Sequence, residues 1–272
     1  MLMQFIEQDC FVDSKEKIEY PPVALSFGEK VIKSNKIEGD LIVPIPIGTY
    51  GNLSVVTAPP KTKKTFFISL LASCYLSGSN QFGGDIKGHK GNDGQLVHID
   101  TEQGLWHCQK VFERVHKMDS NIDSEIYHTF GLRSIDYKMR IEFIDYYLRE
   151  KIKTPSLVII DGIADLCSDA NNISESNQVV QKLMEWSAKY KCHIINVIHQ
   201  NFGSSKLGTG HLGSFLEKKA ETVIQLEANT VNKDWVTVKC GRSRGYAFET
   251  FSFEVNEFGL PQIVGDLYDP LK

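Results

Sequence analysis

The chain has 272 residues, long for one domain and short for two full ones. Hydrophobic residues make up 42% and charged residues 24%, which is ordinary for a soluble globular protein. The formal net charge of -4 excludes a polyanion binder by bulk charge, so nucleic acid, if held at all, must meet a local patch or a lined channel.

Residues 1–50 read as an irregular lead-in packing on the core. Pro21, Pro22, Pro44 and Pro46 oppose helix there. From Leu53 the pattern changes. LSVVTA is short, apolar and β-branched, so it predicts a buried strand, and TFFISLLASCYLSG predicts a helix ended by Gly78. Ser79–Gly94, rich in glycine and polar residues, reads as a loop. Gln95–Asp100 is a second strand, followed by a helix over EQGLWHCQKVFERVHKM. A weaker strand lies near Glu125–Phe130, and SIDYKMRIEFIDYYLREKI predicts an amphipathic helix. Ser156–Asp161 is a near-continuous apolar run, as expected at the centre of a parallel sheet. A further helix (SNQVVQKLMEWSAKYK) and central strand (His193–His199) follow. HLGSFLEKKA is a short helix, and TVIQLE, WVTVKC and ETFSFEV are strands separated by turn signals. The expected fold class is α/β: a mostly parallel central sheet flanked by helices, with a C-terminal antiparallel β extension. Residues 51–272 form one domain on this reading.

Cys10, Cys74, Cys108, Cys167, Cys192 and Cys240 are scattered and form no C-x-x-C pair, which argues against a zinc or redox motif. The start, MLMQFIEQDC, carries acids where a secretory leader has basic residues. No apolar run approaches the ~20 residues needed to cross a bilayer. The expectation is a cytoplasmic protein with reduced thiols and no membrane partner.

Between the first strand and its helix lie Ala58, Pro59, Pro60, Lys61, Thr62, Lys63, Lys64 and Thr65, with Phe66 next. The P-loop template is G-x-x-x-x-G-K-[ST]. Such a loop curls backbone N–H groups around phosphate oxygens at a helix N-terminus. Lys64 would then reach the β- and γ-phosphates, and Thr65 would set its hydroxyl on Mg2+. Ala58 and Lys63 stand where the template has glycines, the residue normally used for close approach or φ > 0. Taken alone, the segment reads equally as a basic turn capping a helix.

The chemistry also needs an aspartate at a strand end, holding Mg2+ through water, and a carboxylate to polarise the attacking water. Asp161 ends SLVIID, in the crevice where open α/β sheets bind ligands; the alternative is a turn or cap residue. Glu102 follows QLVHID at another strand end, with Asp100 as second candidate; the alternative is an acid favourable to a helix dipole. VIHQN closes a further strand before a glycine- and serine-rich loop. A polar residue there can sense the γ-phosphate, with Gln200 the first choice and His199 the second.

In this order the motifs resemble the RecA-like P-loop ATPase superfamily, with the nearest likeness to DnaB-type and RepA-type replicative helicases and the ATPases of mobilisable transposons. GTYGNLSVVTAPPKTKKTFF resembles their P-loop region, which tolerates basic residues at the second glycine. VHIDTEQ resembles the strand bearing the catalytic glutamate, here Glu102, and LVIIDGIADL the Walker B strand, with Asp161 the magnesium aspartate. VIHQNFGSSKLGTGHLGS resembles a sensor strand with a DNA-facing loop. VKCGRSRGYAF resembles the segment whose basic pair reaches a neighbour's nucleotide, here Arg242 and Arg244. The likeness spans roughly residues 40–260. It implies ATP and Mg2+, a homo-oligomeric ring or filament with ATP between subunits, and single-stranded DNA in the centre.

Arg242 and Arg244 equally suit a solvated hairpin, since Gly241 and Gly245 flank them. Lys206, in the loop 201–211, is the candidate DNA phosphate contact or an exposed loop lysine. Three functional readings follow: an oligomeric DNA-dependent ATPase, helicase- or translocase-like, of a mobile element; a catalytically weak nucleotide-dependent DNA-binding switch; and, last, a small-molecule P-loop kinase. An intact Glu102 favours the first over the second.

Overall fold

Every residue of LSVVTA is buried, and the same holds for five of the six residues of QLVHID. Strands this apolar on both faces need cover on both faces, which a parallel sheet between helix layers supplies. The computed structural model describes residues 10–33, 40–200 and 208–264, together with Met3 and Ile6. Among these, nine strands form one sheet in the order β12-β11-β10-β9-β3-β8-β7-β5-β6. The parallel part comprises β3 (Leu53–Ala58), β5 (Gln95–Asp100), β6 (Tyr127–Gly131), β7 (Pro155–Asp161), β8 (His193–His199) and β9 (Thr222–Ala228). β10 (Val236–Ser243), β11 (Phe251–Val255) and β12 (Pro261–Val264) extend it antiparallel. The fold is the α/β sheet that the hydrophobic pattern predicts, with one more strand, β12, at its edge.

The helices are α1 (Lys64–Ser77), α2 (Leu105–Met118), α3 (Tyr137–Glu150), α4 (Ile173–Tyr190) and α5 (Gly210–Lys219). The period of two along each strand divides the core into two layers. Val56, Leu157, Ile159, Ile195 and Val197 pack with Phe67, Leu70 and Leu71 of α1. Val55, Val158, Ile160, Ile194 and Ile198 pack with Leu148 of α3, Leu183 and Trp186 of α4, and Leu212 of α5. α3 starts where the Asp136 carboxylate accepts from the Lys138 amide, and α4 where Asn172 accepts from Ser174 and Glu175. No helix among the described residues is long and apolar enough to cross a membrane.

The lead-in is more ordered than its prolines suggest. β1 (Val23–Ile32) and β2 (Leu41–Thr49) pair antiparallel, and β4 (Ile86–Gly88), inside the segment expected as loop, completes a three-stranded sheet in the order β2-β1-β4. Pro44 and Pro46 are tolerated because β2 is an edge strand, where a missing N–H breaks no ladder. Ala24, Leu25, Phe27 and Ile47 enter the core layer under α1. A buried polar network ties this sheet to the main one. The Thr49 amide and hydroxyl both donate to the Glu221 carboxylate, at 2.8 and 2.9 Å. His193 donates from Nδ1 to the Thr49 carbonyl, and its Nε2 accepts from the Ser54 hydroxyl, each at 2.8 Å.

Candidate active site

Strand register builds the site. Ala58 of β3 stands opposite His199 of β8, and Asp100 of β5 opposite Asp161 of β7. These are the carboxyl ends of neighbouring parallel strands, and α1 begins just above them.

The loop from Ala58 to Thr65 turns sharply without glycine. Lys61 and Lys63 take left-handed backbone, with φ of 65° and 56°. The Thr62 hydroxyl donates to the Pro59 carbonyl. Lys63 is the N-cap of α1, and its carbonyl accepts from the Phe66 and Phe67 amides. Left-handed residues next to right-handed ones point successive N–H groups to one side, the geometry of an anion nest. The Arg114 guanidinium covers the Phe66 ring at 3.8 Å and donates to the Ser69 hydroxyl, fixing the first turn of α1.

Lys64 is buried, and its Nζ donates to His199 Nδ1 at 2.9 Å. That contact leaves Nε2–H of the imidazole facing Glu102 Oε1 at 3.4 Å. Burial lowers the Lys64 pKa, and the charges of Glu102 and Asp161 resist the fall. The His199 hydrogen bond holds the Glu102 carboxyl below its ordinary value, against desolvation and with help from the Lys64 charge. Glu102 is positioned by Asp100, whose carboxylate accepts from the Glu102 and Gln103 amides at 3.0 and 2.8 Å. Asp100 is therefore engaged in shaping the turn.

Asp161 is almost fully buried and its pKa is raised to about 7, mainly by desolvation, then by the charges of Asp100 and Glu102. Its Oδ2 is buried without a partner, while Thr65 bonds to the carboxyl from the loop side. An unsatisfied carboxylate oxygen beside a threonine hydroxyl fits Mg2+, which takes one or two protein oxygens and completes its shell with phosphates and water. Among the described residues no three His, Cys, Asp or Glu side chains cluster as a self-sufficient metal cage.

Other candidates lie elsewhere. Gln200 turns away: its amide donates to the Ala58 carbonyl and its side chain to the Thr57 hydroxyl at 3.2 Å. Strand parity explains why His199 shares the face of Val197 and Ile195, toward α1, whereas Gln200 has the opposite parity. That signal is in the sequence and favours His199. Arg242 pairs with Val223, near the amino end of β9, so the parallel sheet separates it from the loop. Arg244 donates to the Lys219 carbonyl at 3.1 Å. Both arginines are exposed. Lys206 lies outside the described residues. Sequence reasoning missed Thr101, whose hydroxyl bridges the Gly162 carbonyl and Asp165 and so braces the turn after β7.

A buried lysine heading a helix after a strand, with acids at the ends of the adjacent strands, is the arrangement of a RecA-like P-loop ATPase. The chain belongs to the AAA domain family, which matches residues 46–204. Two solved structures share the fold. One is the ATPase domain of a helicase, 15% identical, with a TM-score of 0.57 over 80% of this chain and 87% of that one. The other is the RadB recombinase, 15% identical, with a TM-score of 0.54 over 79% of this chain and 92% of that one. No curated protein sequence matches the chain.

Proposed function

We propose that the chain binds and hydrolyses ATP at this strand-end site and works as a homo-oligomer, ring or filament, on single-stranded DNA in the replication or mobilisation of a mobile genetic element. The observation that carries the reading is the convergence of Lys64, His199 and Glu102 within hydrogen-bonding reach, beside the unsatisfied Asp161.

The roles follow from position. Amides of residues 61–65 cradle the phosphates, and Lys64 leaves His199 to neutralise the β- and γ-phosphates. Thr65 and Asp161 hold Mg2+, which spreads the charge of the phosphates. Glu102, kept ionised by its neighbours, accepts the proton of the attacking water as its oxygen bonds to the γ-phosphorus and the bond to the ADP oxygen breaks. His199 follows the departure of Lys64. Its carbonyl accepts from both the amide and the hydroxyl of Thr209, so movement at the site reaches the base of α5. Gln200 takes part through its backbone. Arg242 and Arg244 act on a neighbouring subunit's nucleotide, and Lys206 meets a DNA phosphate.

The loop without glycines favours a second reading, a nucleotide-dependent DNA-binding switch with little turnover. Steady-state ATP hydrolysis with and without single-stranded DNA, beside Glu102→Gln, separates the two. Activity stimulated by DNA and lost in the variant is expected. Nucleotide binding without turnover, unchanged by the substitution, leaves the switch.

A further inference from the structure

Three residues other than glycine have positive φ among the described residues, and two of them, Lys61 and Lys63, lie in this one loop. Left-handed backbone is disfavoured for any residue with a Cβ, so something must hold it. Lys63 is the position where the template has its second glycine, and its φ of 56° and ψ of 31° are what a glycine there would adopt freely.

The Lys63 side chain is not directed at the loop it belongs to. Its Nζ donates to the Asp234 carbonyl at 2.7 Å, in the turn between β9 and β10. That turn is a firm anchor. Asn229 Oδ1 accepts from the Val231 and Asn232 amides, and Asn232 Oδ1 accepts from the Asp234 amide. The Trp235 indole donates to Glu254 of β11. The ammonium is thus committed to a braced turn of the antiparallel extension.

We propose that Lys63 is a positioning residue for the nucleotide. By tying the loop to the β9–β10 turn it stabilises the left-handed geometry that aims the loop amides at the phosphates. A side-chain latch does here what the absent Cβ of a glycine does in the template. The inference rests on the reading of residues 58–65 as the phosphate cradle. Because the Lys63 ammonium is held away from the loop, its loss acts on nucleotide affinity and KM far more than on kcat.

The test uses the full chain with a fluorescent ATP analogue, steady-state kinetics, and amide hydrogen exchange of residues 61–66 without nucleotide. Lys63→Met keeps the Cβ and loses the latch; its affinity should fall by about tenfold, with KM rising in parallel. Lys63→Arg, which retains a donor, should recover most of the loss. Lys63→Gly needs no latch and should bind the analogue several-fold more tightly than Lys63→Met. Equal losses in the Met and Gly variants would overturn the proposal and make Lys63 a phosphate contact through its charge. Wild-type affinity in Lys63→Met would overturn it as well. If the unaltered chain bound no ATP analogue, the nucleotide reading would fail. The latch would then stand or fall by whether amides 61–66 exchange faster in Lys63→Met.

Discussion

Lys64 Nζ stands 2.9 Å from His199 Nδ1, so the ammonium at the head of α1 and the imidazole at the tip of β8 share a hydrogen bond. A phosphate that draws Lys64 away must break this contact, and the imidazole then loses a partner. Replacing His199 should separate binding from turnover. For His199→Ala we expect ATP-analogue affinity within a few-fold of the parent, because Lys64 is released for the phosphates. Turnover should fall by about 10²-fold, because Glu102 loses the group that orients it. Fluorescence titration and phosphate release measure the two. Unchanged turnover would remove His199 from the mechanism.

Asp161 provides a test that needs no nucleotide. Its folded pKa of about 7 lies above the ordinary 3.8, so folding takes up a proton and the buried charge destabilises the chain as pH rises between those values. Above pH 7 the penalty is fully expressed, at most ~4 kcal/mol from a shift of about three units. Below 3.8 it is absent. Asp161→Asn should therefore melt several degrees higher than the parent at pH 8 in EDTA, and the gap should shrink steadily toward pH 5. A gap independent of pH would mean that the carboxyl is not ionising in place.

The Asp161 and Glu102 positions were legible because an apolar run ending in a carboxylate marks the edge of a parallel sheet. Lys64 and Thr65 were legible from order alone. The ranking of Gln200 above His199 came from reading the strand end as a unit, without carrying the alternation through Ile195 and Val197. Two things could not be read at all. The latch from Lys63 joins positions far apart in sequence, and the β1–β2–β4 sheet was hidden because proline counts against strand unless the strand is known to be an edge.

Gly48 tests how tightly the small sheet is held. A Cβ there would lie 2.2 Å from the His193 ring, which is fully buried and hydrogen-bonded on both nitrogens. Neither the ring nor its partners can yield cheaply. Gly48→Ala should lower stability by roughly 1–3 kcal/mol in urea unfolding, the usual range for forcing volume into a packed core. Parental stability would show that β2 shifts freely over β8.

The exposed arginines call for a mixing experiment. Arg242→Ala with Arg244→Ala should retain nucleotide affinity and lose turnover, because neither side chain approaches its own chain's site. Glu102→Gln should also be inactive, yet it carries intact arginines. If the pair acts across subunits, mixing the two inactive proteins should restore part of the activity. Full turnover by the arginine variant alone would assign the pair to a solvated turn.

The place of β3 in the sheet also sets a schedule for biosynthesis. Its six buried residues find ladder partners only in β8 and β9, and β8 begins at His193. At about 5–20 residues per second, a ribosome takes on the order of ten seconds to pass from one to the other. Throughout that interval the emerging polypeptide carries an apolar segment with no mate, and a phosphate loop with no imidazole or Walker aspartate in register beside it. Nucleotide therefore cannot template the early stages of folding. Until then a holdase that recognises short aliphatic stretches is the natural custodian of Leu53–Ala58.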